Sequence, residues 1–544
     1  MPLESPAVVV RELTSHGYNA DREAVTLISR APDPAGAVET IVEEAPADAF
    51  TISADLVRAV LGDAVSGNAR RLEPTPDSPV ETKGVESSDS ASASTAATDS
   101  TGAADAGSDS VSAGSDSVEA RTSTVERTTA PGEPSTRRSF DTSAHQVEIS
   151  NDITGQSTGT GEYDDFVSVF RDRYQRLSKQ LRGRVNHRPT DTLEKMSGGN
   201  EAAIVGMVND VRSTKSGHWI IELEDTNGTF PALIMKDRDI ADHVNHLLLD
   251  EVIAVEGSLS GDGGILFVDS LHFPDIPRTF KPNTADRHVQ AALISDVHVG
   301  SQEFMADAWS SFANWLHTEE ADAVEYLLIC GDMVEGVGIY PDQDEELDII
   351  DIYDQYEQFA EYLKEVPGDM EIVMIPGNHD AVRLAEPQPA FDEELRGIMD
   401  VHDARLTGNP STVTVEGVNV LMYHGVSLDE VIAEFSDPEV SYDSPHVAMQ
   451  HLLRKRHVAP QYGGRNRIAP EEKDYLVIDD VPDVFHTGHV HKLGVGGYHN
   501  VRLVNSGCWQ AQTDFQKSVN IDPDTATAPI LDLDTLDVTV RKFA

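Results

Sequence analysis

Along the chain the spacing of apolar positions changes several times, and each change predicts a different kind of element. Near the start, Val9, Val10 and Leu13, and later Leu56, Val57, Val60 and Leu61 behind Ser53 as an N-cap, recur at helical intervals. This predicts a small helical module over residues 1–70, serving either to dock a partner or to cap the fold. From 71 to 161 the periodicity disappears. Ser, Thr, Ala, Gly, Asp and Glu dominate, hardly an aromatic occurs, and Ala-Gly-Ser-Asp-Ser-Val appears twice, at 106–111 and 113–118. Such a stretch buries too little apolar surface to offset the entropy of ordering it, so a disordered acidic linker is expected, its repeat a product of slippage.

Helical spacing returns over 162–199, where Phe166, Phe170, Tyr174, Leu177 and Leu181 form an apolar stripe and Arg171, Arg173, Arg176, Lys179, Arg182 and Arg184 crowd the other faces. The stripe predicts core packing, and the basic face either contacts nucleic acid or is simply solvated. Over 200–280 the pattern becomes that of strands: Ile204-Val205, Trp219 to Leu223, Phe230 to Met235, Val252 to Val255 and Ile265 to Val268, with turns at Asn227-Gly228 and Asp262-Gly263. Five short strands with hairpin turns predict an OB-type β-barrel. Trp219 and Phe230 are its candidate stacking aromatics, and packing against a neighbouring domain is its expected use. From 287 to 544 apolar strands alternate with helical stretches, as in an α/β sandwich.

Composition narrows this picture. At 544 residues the chain exceeds what one hydrophobic core organises, so a multidomain protein is expected. No stretch resembles a membrane span or signal peptide, which predicts a cytoplasmic protein. The two cysteines, Cys330 and Cys508, exclude a disulfide framework or zinc ribbon, and Cys330 reads as a small buried hydrophobe. Lys+Arg of 41 against Asp+Glu of 94 leaves a formal charge of −53. In ordinary salt that field would repel nucleic acid. Acidic side chains spread through every segment instead suggest a halophilic surface, for which screening falls to roughly 3 Å at molar salt and local basic clusters decide binding.

The chemistry lies where the strands of the last region end. Ala291 to Ile294, Tyr326 to Ile329, Ile372 to Ile375, Val418 to Met422 and Val484-Phe485 lead into Asp296-Val297-His298, Gly331-Asp332, Gly377-Asn378-His379-Asp380, His424-Gly425 and Gly488-His489-Val490-His491. Each pair alone is common. Together, in this order, they predict a two-metal phosphoesterase, in which divalent cations held roughly 3.5–4 Å apart clamp the oxygens of a phosphoryl centre and acidify a water. Asp332 is the expected shared ligand, with Asp296, His298 and His491 completing one site and Asn378, His424 and His489 the other. Oxygen and imidazole donors together suit Mn2+, with iron or zinc as alternatives. His379 is the candidate catalytic residue, orienting the phosphate or protonating the leaving oxygen, with Asp380 holding its tautomer.

These signatures resemble the calcineurin-like metallophosphoesterase superfamily. Protein phosphatases of that group carry an arginine soon after the Gly-Asp pair and a glutamate after Gly-Asn-His. Gly331 to Gly336 contains no arginine and Asp380 replaces the glutamate, which disfavours that branch. More specifically, residues 331–343, 377–389, 453–470 and 505–516 resemble the small-subunit family of the archaeal D-family DNA polymerase. The resemblance implies a manganese-dependent 3′→5′ proofreading exonuclease acting on single-stranded or mismatched 3′ ends of DNA, paired with a large catalytic polymerase subunit. It leaves the N-terminal arm as a candidate dock for other replication factors. The alternatives are a non-catalytic scaffold B-subunit, as in eukaryotic relatives that have lost ligands, and a repair nuclease of the same superfamily. Arg454, Lys455, Arg456, Arg465 and Arg467 form the densest basic stretch, expected either to guide a DNA 3′ end or to face the partner subunit.

Overall fold

The computed structural model describes Val9, residues 19–20, 22–29, 31, 34–44, 51–52, 54–61 and 142–544, except 158, 341–342 and 519–520. The proposed linker lies outside the described residues up to 141, as do Ser53, Val10 and Leu13. The chain divides into two compact units, Met1–Asp109 and Ser110–Ala544. In the first, helices Arg22–Ser29, Pro34–Glu44 and Ala54–Leu61 accompany a parallel pair of two-residue strands, Asn19–Ala20 and Thr51–Ile52. Val9, Ile28, Val38, Ile41, Ile52 and Val57 form their core. Among the described residues no helix is long and apolar enough to cross a membrane.

In the second unit the described residues begin at Thr142, and 142–161, which the sequence assigned to a disordered linker, already contain a strand. Strand β1 (Val147–Ser150) alternates buried-side Val147 and Ile149 with Glu148 and Ser150 and pairs at a sheet edge, an alternation too short to stand out of a polar stretch. Helix α1 (Tyr163–Arg182) follows. Its Tyr174, Leu177 and Leu181 pack on Ala203, Val205, Val252 and Ala254, so the apolar stripe is core. Much of its basic face is spent internally: Arg173 is buried against Asp474 at 2.6 Å, and Arg176 meets Asp172 and Asp479. Arg171 and Lys179 remain exposed.

Five strands, β2 (Glu201–Ser213), β3 (Trp219–Asp225), β4 (Gly228–Ile234), β5 (Val252–Leu259) and β6 (Leu266–His272), close into a barrel in the order β2-β3-β4-β6-β5. Phe230 is 2% exposed inside the barrel and Trp219 packs against the same core, so neither is a free stacking surface.

Two six-stranded mixed sheets make up the rest. The first runs through β7 (Gln290–Ile294), β8 (Val324–Cys330) and β9 (Glu371–Ile375), all parallel, flanked by antiparallel pairing to a C-terminal strand. The second contains β10 (Ser411–Val415), β11 (Val418–Met422), β12 (Val484–Thr487) and β13 (Val501–Asn505), with β11, β12 and β13 parallel and β1 at one edge. The period of two along each strand sorts its side chains. Leu293, Tyr326, Leu328 and Val373 of the first sheet meet Val413, Val420, Val484 and Val504 of the second. Ala292, Ile294, Leu327 and Ile329 face outward onto helices α2 (Ala306–Leu316) and α3 (Ile352–Leu363). Leu421, Phe485 and Leu503 face helices α4 (Ser427–Glu434) and α5 (Pro445–Lys455) on the other side. Strands buried on both faces are rigid supports, each fully buried Leu, Ile or Val contributing roughly 1.5–3 kcal/mol.

Candidate metal centre

The five signatures follow the carboxyl ends of β7, β8, β9, β11 and β12, so loops from both sheets meet along one rim. Asp296, His298, Asp332, His489 and His491 all have φ between 52° and 71°. A residue with a β-carbon held there costs roughly 1–3 kcal/mol, and such strain persists where surrounding bonds impose it. Here the Asp332 carbonyl accepts from both Val297 N (2.8 Å) and His298 N (3.1 Å), and Asp296 N donates to Gly331 O at 3.0 Å. The glycines are required by approach distance. A β-carbon on Gly377 would collide with the Asp332 carboxylate, and one on Gly331, itself at φ 91°, would collide with His424.

Asp296, His298 and His491 form one buried group and Asp332, His424 and His489 a second. In the first, His298 Nε2 lies 3.0 Å from His491 Nε2, 4.0 Å from Asp296 Oδ1 and 3.9 Å from Asp332 Oδ2, while His491 Nε2 is 3.5 Å from Asp296 Oδ1. In the second, His424 Nε2 faces Asp332 Oδ2 at 3.2 Å and Asn378 Oδ1 at 3.0 Å. All seven predicted ligands therefore gather at one place, with Asp332 between the groups.

The donor set suits cations. His424 Nδ1 lies 2.8 Å from the Cys330 carbonyl, which can only accept, so Nδ1 carries a proton and Nε2 is the nitrogen turned to the site. Nε2 faces two oxygens, one of Asp332 and one of Asn378, and positive charge is favoured among them, either a second proton on His424 or a cation in its place. The titration tendencies reflect the same need: burial depresses His424, but Asp332 outweighs burial and pushes it up to about 10. Burial likewise disfavours charge on His298, yet Glu335 with Asp332 and Asp296 pushes it up to about 9. Asp332 resists its burial because His424 and His379 hold it well below the usual carboxylate range.

His379 lines the pocket beside these groups. Its backbone N–H donates to Asp332 Oδ1 at 2.8 Å, and its Nδ1 donates to the Glu335 carbonyl at 2.7 Å. The expected role of Asp380 is corrected by its contacts. Its buried carboxylate accepts from Gly377 N (2.8 Å), Met333 N (3.2 Å) and the Tyr356 hydroxyl (2.9 Å), tying the loops after β8 and β9 together instead of touching the His379 ring. A side chain next in sequence points elsewhere because the turn at 377–380 folds it inward.

The five basic residues are not gathered on one surface, which corrects the expectation for Lys455 and Arg456. Lys455 is 1% exposed, 2.9 Å from Glu251 of the barrel and 2.6 Å from the His246 carbonyl. Arg456, also buried, donates to the carbonyls of Ile478 and Asp479, and Arg454 lies over the Phe273 ring at 4.0 Å. Where α5 ends, these cations satisfy the barrel and a facing loop, so Lys455 and Arg456 cannot reach DNA. Arg465 and Arg467 are exposed. Burial raises the Asp429 carboxyl, but His489 and the Tyr442 hydroxyl outweigh it and hold it below the usual carboxylate range.

Several site residues escaped the sequence reading. Glu335 Oε2 lies 2.8 Å from His298 Nδ1 and accepts from Gln510 Nε2 at 2.7 Å. Burial raises this carboxyl, but His298 outweighs it and brings it down to about 2. Asp429 meets His489 Nε2 at 3.3 Å and Gln516 Nε2 meets His491 Nδ1 at 2.8 Å. Glu335 stood within the Gly331–Gly336 stretch, and its position three residues beyond Asp332 was the available signal. Asp429 in the first turn of α4 reads as ordinary helix-end chemistry.

A family model for the B-subunit of DNA polymerase alpha/epsilon matches residues 291–493, which contain every predicted ligand from Asp296 to His491. Over all 544 residues of both chains, the protein is 65% identical to a DNA polymerase II small subunit from Halobacterium salinarum. It is 42% identical to that of Archaeoglobus fulgidus, over 69% of this chain and 77% of the other, and 39% identical to that of Methanocaldococcus jannaschii, over 71% and 67%. The chain belongs to the DNA polymerase II small-subunit family, that of the archaeal D-family polymerase.

Proposed function

We propose that the chain is the 3′→5′ proofreading exonuclease of a heterodimeric replicative DNA polymerase working in the cytoplasm, its barrel of OB type and its last region a metallophosphoesterase sandwich. The observation that carries this reading is the convergence of imidazole nitrogens and carboxylate and amide oxygens from five separate loops around Asp332. Asp296, His298 and His491 would hold one divalent cation and Asn378, His424 and His489 a second, with Asp332 shared. Manganese suits these nitrogen and oxygen donors, with iron and zinc as alternatives. When bound, such cations supply the positive charge that polarises a phosphodiester and acidifies water.

The chain's own residues do the remaining work. With Nδ1 committed to the Glu335 carbonyl, His379 keeps Nε2 free to hold a proton for the 3′ oxygen that departs when the P–O3′ bond breaks and a nucleoside 5′-monophosphate is released. Glu335 and Gln516 orient the His298 and His491 rings, and Asp380 keeps the two loops in register. The large polymerase subunit is the partner, single-stranded or mismatched 3′ ends of DNA the substrate, and the N-terminal arm a dock for other replication factors.

A 5′-labelled primer with a mismatched 3′ end, incubated with the protein, manganese and molar salt, should shorten stepwise. His379→Ala should slow this about 10²- to 10⁴-fold while still assembling with the large subunit. No nucleotide release by the wild type with manganese, iron or zinc would leave the scaffold role instead.

A further inference from the structure

Resting on the nuclease reading, we propose that Phe515 and Tyr340 form a stacking shelf for the unpaired base at a 3′ terminus, and that this shelf separates frayed ends from paired ones. Both side chains line the pocket that holds His379, Asp332 and His489. Their rings stack with centroids 6.1 Å apart and planes 22° from parallel. Tyr340 is anchored by its hydroxyl, whose one proton is within reach of Glu346 at 3.1 Å and Glu335 at 3.3 Å. Phe515 is 57% exposed, a large apolar ring left in solvent at the mouth of a polar site. An anchored inner ring beneath an exposed outer one can extend its stack by one more aromatic plane.

The charge of the chain favours a base as that plane. With a formal charge of −53, and with Lys455 and Arg456 buried, an uncharged contact adds affinity that the acidic field of the chain does not oppose. Every base has a π-face, which makes such a shelf tolerant of sequence. A base already stacked and paired in a duplex gains nothing from it. An unpaired base does, which makes the shelf selective for ends that need removal.

The test measures binding by the full chain, with EDTA and with manganese. The probes are single-stranded oligonucleotides with a hydrolysis-resistant methylphosphonate as last linkage, ending either in 2-aminopurine or in an abasic site. The base-ended strand should bind roughly five- to a hundredfold more tightly, with quenched fluorescence. Phe515→Ala should abolish that preference and Phe515→Trp restore it. Equal binding of the two probes by the wild type in both conditions, or a preference kept by Phe515→Ala, would overturn the shelf. So would a Phe515→Ala protein that keeps the preference but loses the large subunit, which would make the ring a protein contact. Because binding is read without cleavage, an inactive nuclease with a base preference would sink the nuclease reading and spare the shelf.

Discussion

Asp332 links the two groups of the centre: Oδ1 accepts from His379 N, Oδ2 faces His424, and its backbone carbonyl holds the loop that carries Asp296 and His298. The residues that touch the centre directly were legible, because their types and their places after apolar strands are chemically distinctive. Those that orient them were not. Glu335 is one of these, and its contact with His298 Nδ1 sets that ring's direction. Glu335→Gln keeps the size but replaces the carboxylate with an amide, and loss of such an outer partner weakens a metal by about ten- to a hundredfold. Manganese titration followed by electron paramagnetic resonance should register that loss, and an unchanged affinity would deny Glu335 its orienting role.

At the scale of elements, β7, β8 and β11 are nearly continuous apolar runs because one face meets the inter-sheet core and the other meets helices, and those runs made the strands readable before any contact was known. The end of α5 was not. Arg454, Lys455 and Arg456 are adjacent in sequence but reach an aromatic ring, a buried carboxylate and two carbonyls. Glu251 is completely buried, and burial raises its carboxyl even though Lys455 opposes this. Removing the cation alone strands that charge. Lys455→Met should therefore cost about 3–5 kcal/mol. Adding Glu251→Leu should recover most of it, as measured by equilibrium denaturation of both variants. If the double variant is no more stable than the single, the ion pair is not what holds the junction.

At the scale of the whole molecule, 94 acidic against 41 basic residues repel one another in the compact state. Screening by salt should relieve this, so the melting temperature followed by circular dichroism should climb between about 0.1 M and molar potassium chloride, where the Debye length falls from about 10 to 3 Å. A melting temperature independent of salt would mean that the acidic surface carries no such penalty. The sequence by itself determined helix α1, the five strands of the barrel, the apolar strands that lead into the five signatures and the seven candidate ligands within them, since periodicity and residue type are local properties. Tertiary structure alone decided which acid orients which imidazole, where Asp380 points and which cations stay in water. Those outcomes depend on partners far apart in the chain, Gln510 with Glu335 across 175 positions or Lys455 with Glu251 across 204, and a linear order of residues carries no record of which distant groups burial will force to pair.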